Sequence, residues 1–232
     1  MKFNFIKVIY CFTLMLLINN YAHASIVITG TRVIYKQNDQ EVTVQLKNVG
    51  SVPVLAQSWI DNGDAKQKPD EISSPFIITP PINRLDSGKG QTLRIVLANK
   101  SHFATDRESI AWLNVLEIPA IDKDKKDLNI LKMAFRTRIK LFYRPTGLAG
   151  DSNNAIKSLT WSAISGNLNV KNPTPWHVSL VSVSVDGRKV EGEMIPPFST
   201  HTFNVDVRTG NSILANYVND YGAVLNFDSV VR

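Results

Sequence analysis

Apolar and polar residues alternate along most of this chain, and the alternation is longest just past its middle. From Asn129 to Pro145 the odd positions carry Asn129, Leu131, Met133, Phe135, Thr137 and Ile139, while the even positions carry Lys132, Arg136, Arg138 and Lys140. A period of two predicts one strand that faces two environments. The run is much longer than an ordinary strand of about five or six residues. It reads either as an inner strand whose odd face is core, or as a strand that protrudes and offers its edge to another chain.

Shorter runs of the same kind flank it. Val42, Val44 and Leu46 alternate with Glu41, Thr43, Gln45 and Lys47, and a turn follows from Asn48 to Pro53. Val54 to Ile60, Phe76 to Thr79, Leu93 to Leu97 and Ile110 to Ile118 continue the series. With Ile26 to Tyr35 at the start, these make about seven strands, the number an immunoglobulin-type sandwich needs. Arg144-Pro145-Thr146-Gly147 ends this unit, because proline cannot continue a ladder, and Gly150 to Asn154 extends the linker. A second set comprises Ile156 to Trp161, Leu168 to Val170, Val178 to Val185, Phe203 to Val207, Leu214 to Val218 and Val224 to Phe227. No segment longer than a turn or two has helical period, and no internal repeat is apparent. The expectation is an all-β protein of two β-sandwich domains in tandem, over residues 25–145 and 146–232.

Residues 1–24 have a different pattern. Lys2 and Lys7 precede an apolar run from Val8 to Ile18, and Ala22-His23-Ala24 supplies a small-residue cleavage site, so they read as a secretory signal removed after Ala24. The run is shorter than the about 20 residues a membrane span needs. Export to the periplasm as a soluble protein beginning at Ser25 is therefore expected. Cys11 is the only cysteine and lies inside the signal, in no lipid-attachment context, so the mature chain has no disulfide or thiol chemistry. Without Lys2 and Lys7, 24 basic residues face 20 acidic ones, a net charge of +4. That mild excess lacks the clustered footprint of a nucleic-acid binder.

The search for chemistry yields no catalytic, metal or cofactor site. His102, His177 and His201 stand apart from any Cys, Asp or Glu at ligand spacing and read as surface or turn residues. Gly88-Lys89-Gly90 lacks the spacer of a phosphate loop and reads as a hairpin turn. Trp59, Trp112, Trp161 and Trp176 are spread one to a strand or loop, which suits core and hinge packing better than a stacking platform. Arg32 lies in an otherwise apolar first strand, and Lys140 sits between Ile139 and Leu141. Such cations are either snorkelling structural charges or an anion site.

Arg138-Ile139-Lys140-Leu141-Phe142-Tyr143-Arg144-Pro145, with Thr105 to Ser109, Trp112 to Val115, Glu117-Ile118-Pro119, Thr31-Arg32 and Asn219-Asp220-Tyr221-Gly222, resembles the periplasmic pilus-assembly chaperones of the PapD-like family, in its short-loop branch. The resemblance covers the whole mature chain. It implies two immunoglobulin-like domains with a subunit-binding cleft between them. It implies that Arg32 and Lys140 anchor the C-terminal carboxylate of a pilus subunit, and that Asn129, Leu131, Met133 and Phe135 form the donor strand that enters the open groove of an incomplete subunit. The three large apolar side chains would contribute roughly 1.5 to 3 kcal/mol each before ordering costs. Glu108, Arg144 and Asp220 match an interdomain salt-bridge set.

The function so implied is a chaperone, not an enzyme, that binds fimbrial subunits by donor-strand complementation and delivers them to an outer-membrane usher. A tandem-sandwich fimbrial subunit and a secreted hydrolase with a remote triad are the competing classes. A free chaperone with an exposed apolar edge is also expected to associate weakly as a self-capped homodimer.

Overall fold

The computed structural model describes residues 25–99, 103–120 and 133–232. The first set of strands comprises β1 (Ile26–Ile28), β2 (Arg32–Lys36), β3 (Val42–Asn48), β4 (Val54–Asp61), β5 (Phe76–Thr79), β6 (Ile82–Leu85), β7 (Gly90–Leu97), β8 (Ser109–Pro119) and β9 (Phe135–Arg144). They form one sheet in the order β1-β3-β7-β5 and another in the order β2-β9-β8-β4-β6. Alternation places Val44, Leu46, Leu93 and Ile95 on the inner face of the first sheet. Ala111, Leu113, Val115, Leu141 and Tyr143 occupy the inner face of the second, and the two faces meet in one core.

The second set is β10 (Thr160–Ile164), β11 (Asn167–Lys171), β12 (Val178–Val185), β13 (Arg188–Glu191), β14 (Met194–Ile195), β15 (Thr200–Asp206), β16 (Ser212–Val218) and β17 (Val224–Val230). Sheet β10-β11-β15 faces sheet β13-β12-β16-β17, to which β14 adds along β12. Trp161, Leu168, Val170, Val183, Ile195 and Phe203 lie in their shared core, which has no residue in common with the first. The architecture is all-β, two immunoglobulin-like sandwiches in tandem.

Three local expectations are corrected. The run Ile26 to Tyr35 is not one strand: it breaks over Thr29–Thr31, where Gly30 takes a φ of 97°, and its halves join different sheets. β1 pairs antiparallel with β3, whereas β2 pairs parallel with β9. Period two cannot reveal a strand that changes sheets, because both halves keep their alternation. The long central strand begins at Phe135, with Met133 and Ala134 outside it; Asn129, Leu131 and Lys132 lie outside the described residues. Finally, Ile156 belongs not to a strand but to a 3-10 turn over Ser152–Ser158, which Asp151 caps by accepting from Asn153 N and which buries Ala155 and Ile156. Its short length hides it from any helical period.

One device recurs in both domains. Asn48 donates through Nδ2 to Val52 O and Leu85 O and accepts from Gly50 N. Asn172 donates to Trp176 O, Ile195 O and Pro196 O and accepts from Thr174 N. Each is fully buried where a strand of one sheet turns into a strand of the other. The sequence carries the trace as Lys47-Asn48 and Lys171-Asn172, each followed by a valine at the start of the next strand, Val54 and Val178. Two matching positions are too few to register as a repeat. Replacing either asparagine by alanine leaves buried carbonyls without donors, and a loss of about 2 to 4 kcal/mol is expected. Urea unfolding of Asn48→Ala and Asn172→Ala checks this; a change below about 0.5 kcal/mol, ordinary for a surface site, would contradict it.

Candidate functional site

β2 and β9 run side by side in register, with Arg32 opposite Lys140 and Lys36 opposite Arg144. Two cations are thereby forced to neighbouring positions on one sheet. Arg32 Nη1 donates to Val218 O of the second domain at 3.2 Å, while its Nε is buried without a hydrogen-bond partner. Neither Arg32 nor Lys140 forms an ion pair with a described residue. Burial holds the Lys140 ammonium below its ordinary pKa and the neighbouring Arg32 charge adds to this, with Glu193 acting the other way. Burial likewise lowers Arg32, against the pull of Asp220 and Glu108. For a lysine so shifted, stability rises with pH between its lowered folded value and its ordinary one, so its charge below that window is a cost to the free fold. An anion between the two groups would remove that cost.

β2 covers β9 only from Lys140 to Arg144, while β8 pairs with β9 along its other edge from Phe135 to Tyr143. The β2-side edge from Phe135 to Ile139 is consequently open among the described residues. Phe135 is 47 % exposed and Met133 59 %. The odd face of β9 changes character along its length: Phe135 is exposed, Ile139 packs against the core, and Leu141 and Tyr143 are inside it.

The even face is built differently from a row of free charges. Arg138 pairs with Asp61 through Nη2 at 2.5 Å and Nε at 3.0 Å. Arg136 binds Asn114 Oδ1 at 2.6 Å and reaches Asp61 at 3.4 Å, and Asn114 Nδ2 itself donates to Asp61 at 2.7 Å. Burial works to raise the Asp61 carboxyl, yet bonds from Arg138, Asn114 and Gly63 N–H hold it below its usual range. The guanidinium of Arg136 lies 4.9 Å from the Trp59 ring and that of Arg138 4.1 Å from Trp112. Trp59 and Trp112 are thus a half-buried platform for arginine rather than core. Asp61 pairs closely with Arg138 and only distantly with Arg136, so the two arginines and the one carboxylate keep a net positive charge.

Glu108, Arg144 and Asp220 come together at the domain junction. Arg144 binds Glu108 Oε1 through Nε at 2.6 Å and both oxygens of Asp220 at 2.6 Å. Its side chain is 11 % exposed and that of Glu108 1 %. His177 joins this network, its Nδ1 and backbone N lying 2.8 and 2.9 Å from Glu108 Oε2. Its side chain is buried, so it is not the surface histidine its isolation suggested; the preceding Pro173, Pro175 and Trp176 are the trace of a docking loop. His201 packs edge-on to Phe203 at 4.6 Å, and His102 lies outside the described residues. Ser152 Oγ adds a bond to Asp220. Opposite, Gly222 takes a φ of 83°, and a Cβ there would approach Thr31 Oγ1 to 2.6 Å, so the final turn can lie against the first domain only with glycine. A cleft of about 650 Å³ opens over this network, lined by Lys36, Arg144, Trp176 and Tyr221 among others, and does not include Arg32 or Lys140. No group of three metal-ligating side chains occurs among the described residues.

The comparisons with known proteins agree with this layout. Residues 25–149 match the family described as pili and flagellar-assembly chaperone, PapD N-terminal domain, and residues 154–228 match the pili assembly chaperone PapD, C-terminal domain. The chain is 44 % identical over 210 residues to chaperone protein MrkB of Klebsiella pneumoniae, covering 87 % of this chain and 90 % of that protein. The crystal structure of the YadV chaperone superposes with a TM-score of 0.75 at 37 % identity, over 89 % of this chain and 100 % of the other. A chain of the Salmonella enterica complex of SafA pilin with the SafB chaperone superposes with a TM-score of 0.78 at 30 % identity, over 89 % and 96 %. The protein belongs to the PapD-like family of pilus-assembly chaperones.

Asp220 gives the junction a pH signature. Burial acts to raise its carboxyl, but Arg144, Ser152 and the charge of Arg32 outweigh this and hold it below 3.8. The stability it contributes is full above that value and is lost as pH falls through the lower folded value. We expect Asp220→Asn to flatten the stability profile below pH 4, and Arg144→Ala to cost about 3 to 5 kcal/mol at neutral pH by stranding two carboxylates. Unfolding followed by tryptophan fluorescence across pH tests both; an unchanged acid limb in Asp220→Asn contradicts the assignment.

Proposed function

We propose that this protein is an exported chaperone that captures pilus subunits at the Arg32–Lys140 pair and along the open edge of β9, then passes them to an outer-membrane usher. The observation that carries the reading is a cation pair with no ion-pair partner among the described residues, at the closed end of a strand edge that none of them covers. A C-terminal carboxylate takes charge-assisted hydrogen bonds from Arg32 and Lys140 and sets the register. The last strand of the subunit then runs along β9 by main-chain pairing, while Phe135 and Met133, with Leu131 and Asn129 beyond the described residues, fill the groove of the subunit. Glu108, Arg144 and Asp220 hold the two domains at the angle this requires. No helix among the described residues is long and apolar enough to cross a membrane. We read residues 1–24 as a signal removed after Ala24 on the way to the periplasm, residues 25–145 as the capturing domain and 146–232 as the second sandwich. The reading needs no cofactor, metal or catalytic group.

The same edge supports a weak self-capped dimer of the free protein. Since Asp61 offsets one of the two charges of Arg136 and Arg138, salt should alter this dimer less than a row of free cations would. Sedimentation of the wild type, Arg32→Ala, Lys140→Ala and Phe135→Glu, each with and without a fimbrial subunit, checks the whole scheme. Both anchor variants should fold normally and bind the subunit about ten- to a hundredfold more weakly, and Phe135→Glu should lose both complex and dimer. Undiminished capture by the anchor variants sinks the carboxylate assignment, and a wild type that stays monomeric at every concentration sinks the capped dimer.

A further inference from the structure

Glu117 occupies a position that its strand reserves for the core. On β8 the inward series runs Ala111, Leu113, Val115, all buried, and the next member is Glu117, 8 % exposed. Its carboxylate meets no Lys, Arg or His side chain within ion-pair distance among the described residues. It is instead turned across the sandwich onto the start of β1. Ser25 N donates to Oε2 at 3.1 Å, Ile26 N donates to the same oxygen at 2.9 Å, and Ser25 Oγ bonds Oε1. Ser25 is itself 8 % exposed.

The surroundings of Ser25 are fitted as closely as the carboxylate. Val49 N donates to Ser25 O at 2.7 Å, closing the opposite side. A Cβ on Gly50 would come within 2.6 Å of Ser25 Cβ, so glycine at 50 leaves the room that Ser25 fills. The result is a small socket with a carboxylate at its base, holding one particular residue of the chain. A buried carboxylate with no cationic partner is costly, and neutral N–H donors offset that cost only in part.

We propose that Glu117 is the binding site for the protein's own new N-terminus: removal of residues 1–24 turns Ser25 N into an ammonium group, which supplies the missing countercharge inside the socket. The hydrolysis consumes one water, leaves a carboxylate on Ala24 and places the positive charge on Ser25 N. The inference rests on the reading that cleavage follows Ala24. The precursor can offer Glu117 only an uncharged amide, so the seating of β1 against the five-stranded sheet becomes tighter once the signal has gone. The first sandwich is then fully stable only in the processed protein.

The test compares mature protein bearing a free Ser25 amine with the same protein acetylated at that nitrogen, which restores the uncharged amide of the precursor. Both are made with Glu117 and with Glu117→Gln, and urea unfolding is followed in each. With Glu117, acetylation should increase the unfolding equilibrium constant by about tenfold or more. With Glu117→Gln the gap should close; a gap that persists identifies crowding by the acetyl group and overturns the proposal. Equal stability of the free and acetylated forms with Glu117 overturns it too, and does so even should the glutamine variant not fold. Intact mass and N-terminal sequencing of the exported protein separate the two readings. A start other than Ser25 removes the cleavage reading and the socket with it, whereas a Ser25 start without any effect of acetylation removes the socket alone.

Discussion

The parallel pairing of β2 with β9 is the constraint on which the rest of the molecule depends. Five residues of β2 cover five of β9 and no more. That short overlap produces both halves of the candidate site: it sets Arg32 beside Lys140, and it leaves the next stretch of β9, from Phe135 to Ile139, without a neighbour on that edge among the described residues. Had the chain continued from Ile26 as one strand in the same register, Val27 would lie opposite Phe135 and that edge would be closed. The break over Thr29–Thr31, which sends β1 to the other sheet, is thus what makes β2 short enough to leave an edge open.

Charge is distributed to suit this arrangement. Arg138, next to the open edge, is paired with Asp61, which Arg136 also reaches, and Arg144 beyond the anchor is paired with Glu108 and Asp220. Arg32 and Lys140 lie between those two networks and form no ion pair with a carboxylate among the described residues. A half-buried pair of like charges with no ion-pair partner among the described residues destabilises the free protein, and burial lowers the Lys140 pKa accordingly. On the proposed reading, stability is given up at the place where the carboxylate of a subunit returns it. The junction network has the complementary task, since a buried arginine held by two carboxylates tolerates little change in the angle between the sandwiches.

Strand alternation makes most of the fold legible in the sequence, because each sandwich buries one face of every strand. The first domain needed nine strands where about seven were expected, owing to the split of Ile26 to Tyr35 and to β6, whose Ile82 and Arg84 face outward and mask the pattern. The site was legible only in part. Lys140 stands out as a cation in an apolar run, but Asp61 is 77 residues from Arg138 and Asp220 76 from Arg144, and no local spacing links such pairs. Asp61 was hidden further by its own turn, where it accepts from Gly63 N and looks like a simple loop former. Glu117 left a trace, a lone acid in register with Ala111, Leu113 and Val115, but it enters the sequence reading only as part of the Glu117-Ile118-Pro119 motif.

The account stands on the claim that Arg32 and Lys140 hold a carboxylate. Calorimetric titration with a synthetic peptide carrying the last strand of a fimbrial subunit, once with a free C-terminal acid and once with a C-terminal amide, measures this directly. The free acid should bind about tenfold or more tightly than the amide, since only it offers charge-assisted bonds to both cations. Equal affinity for the two peptides would contradict the account.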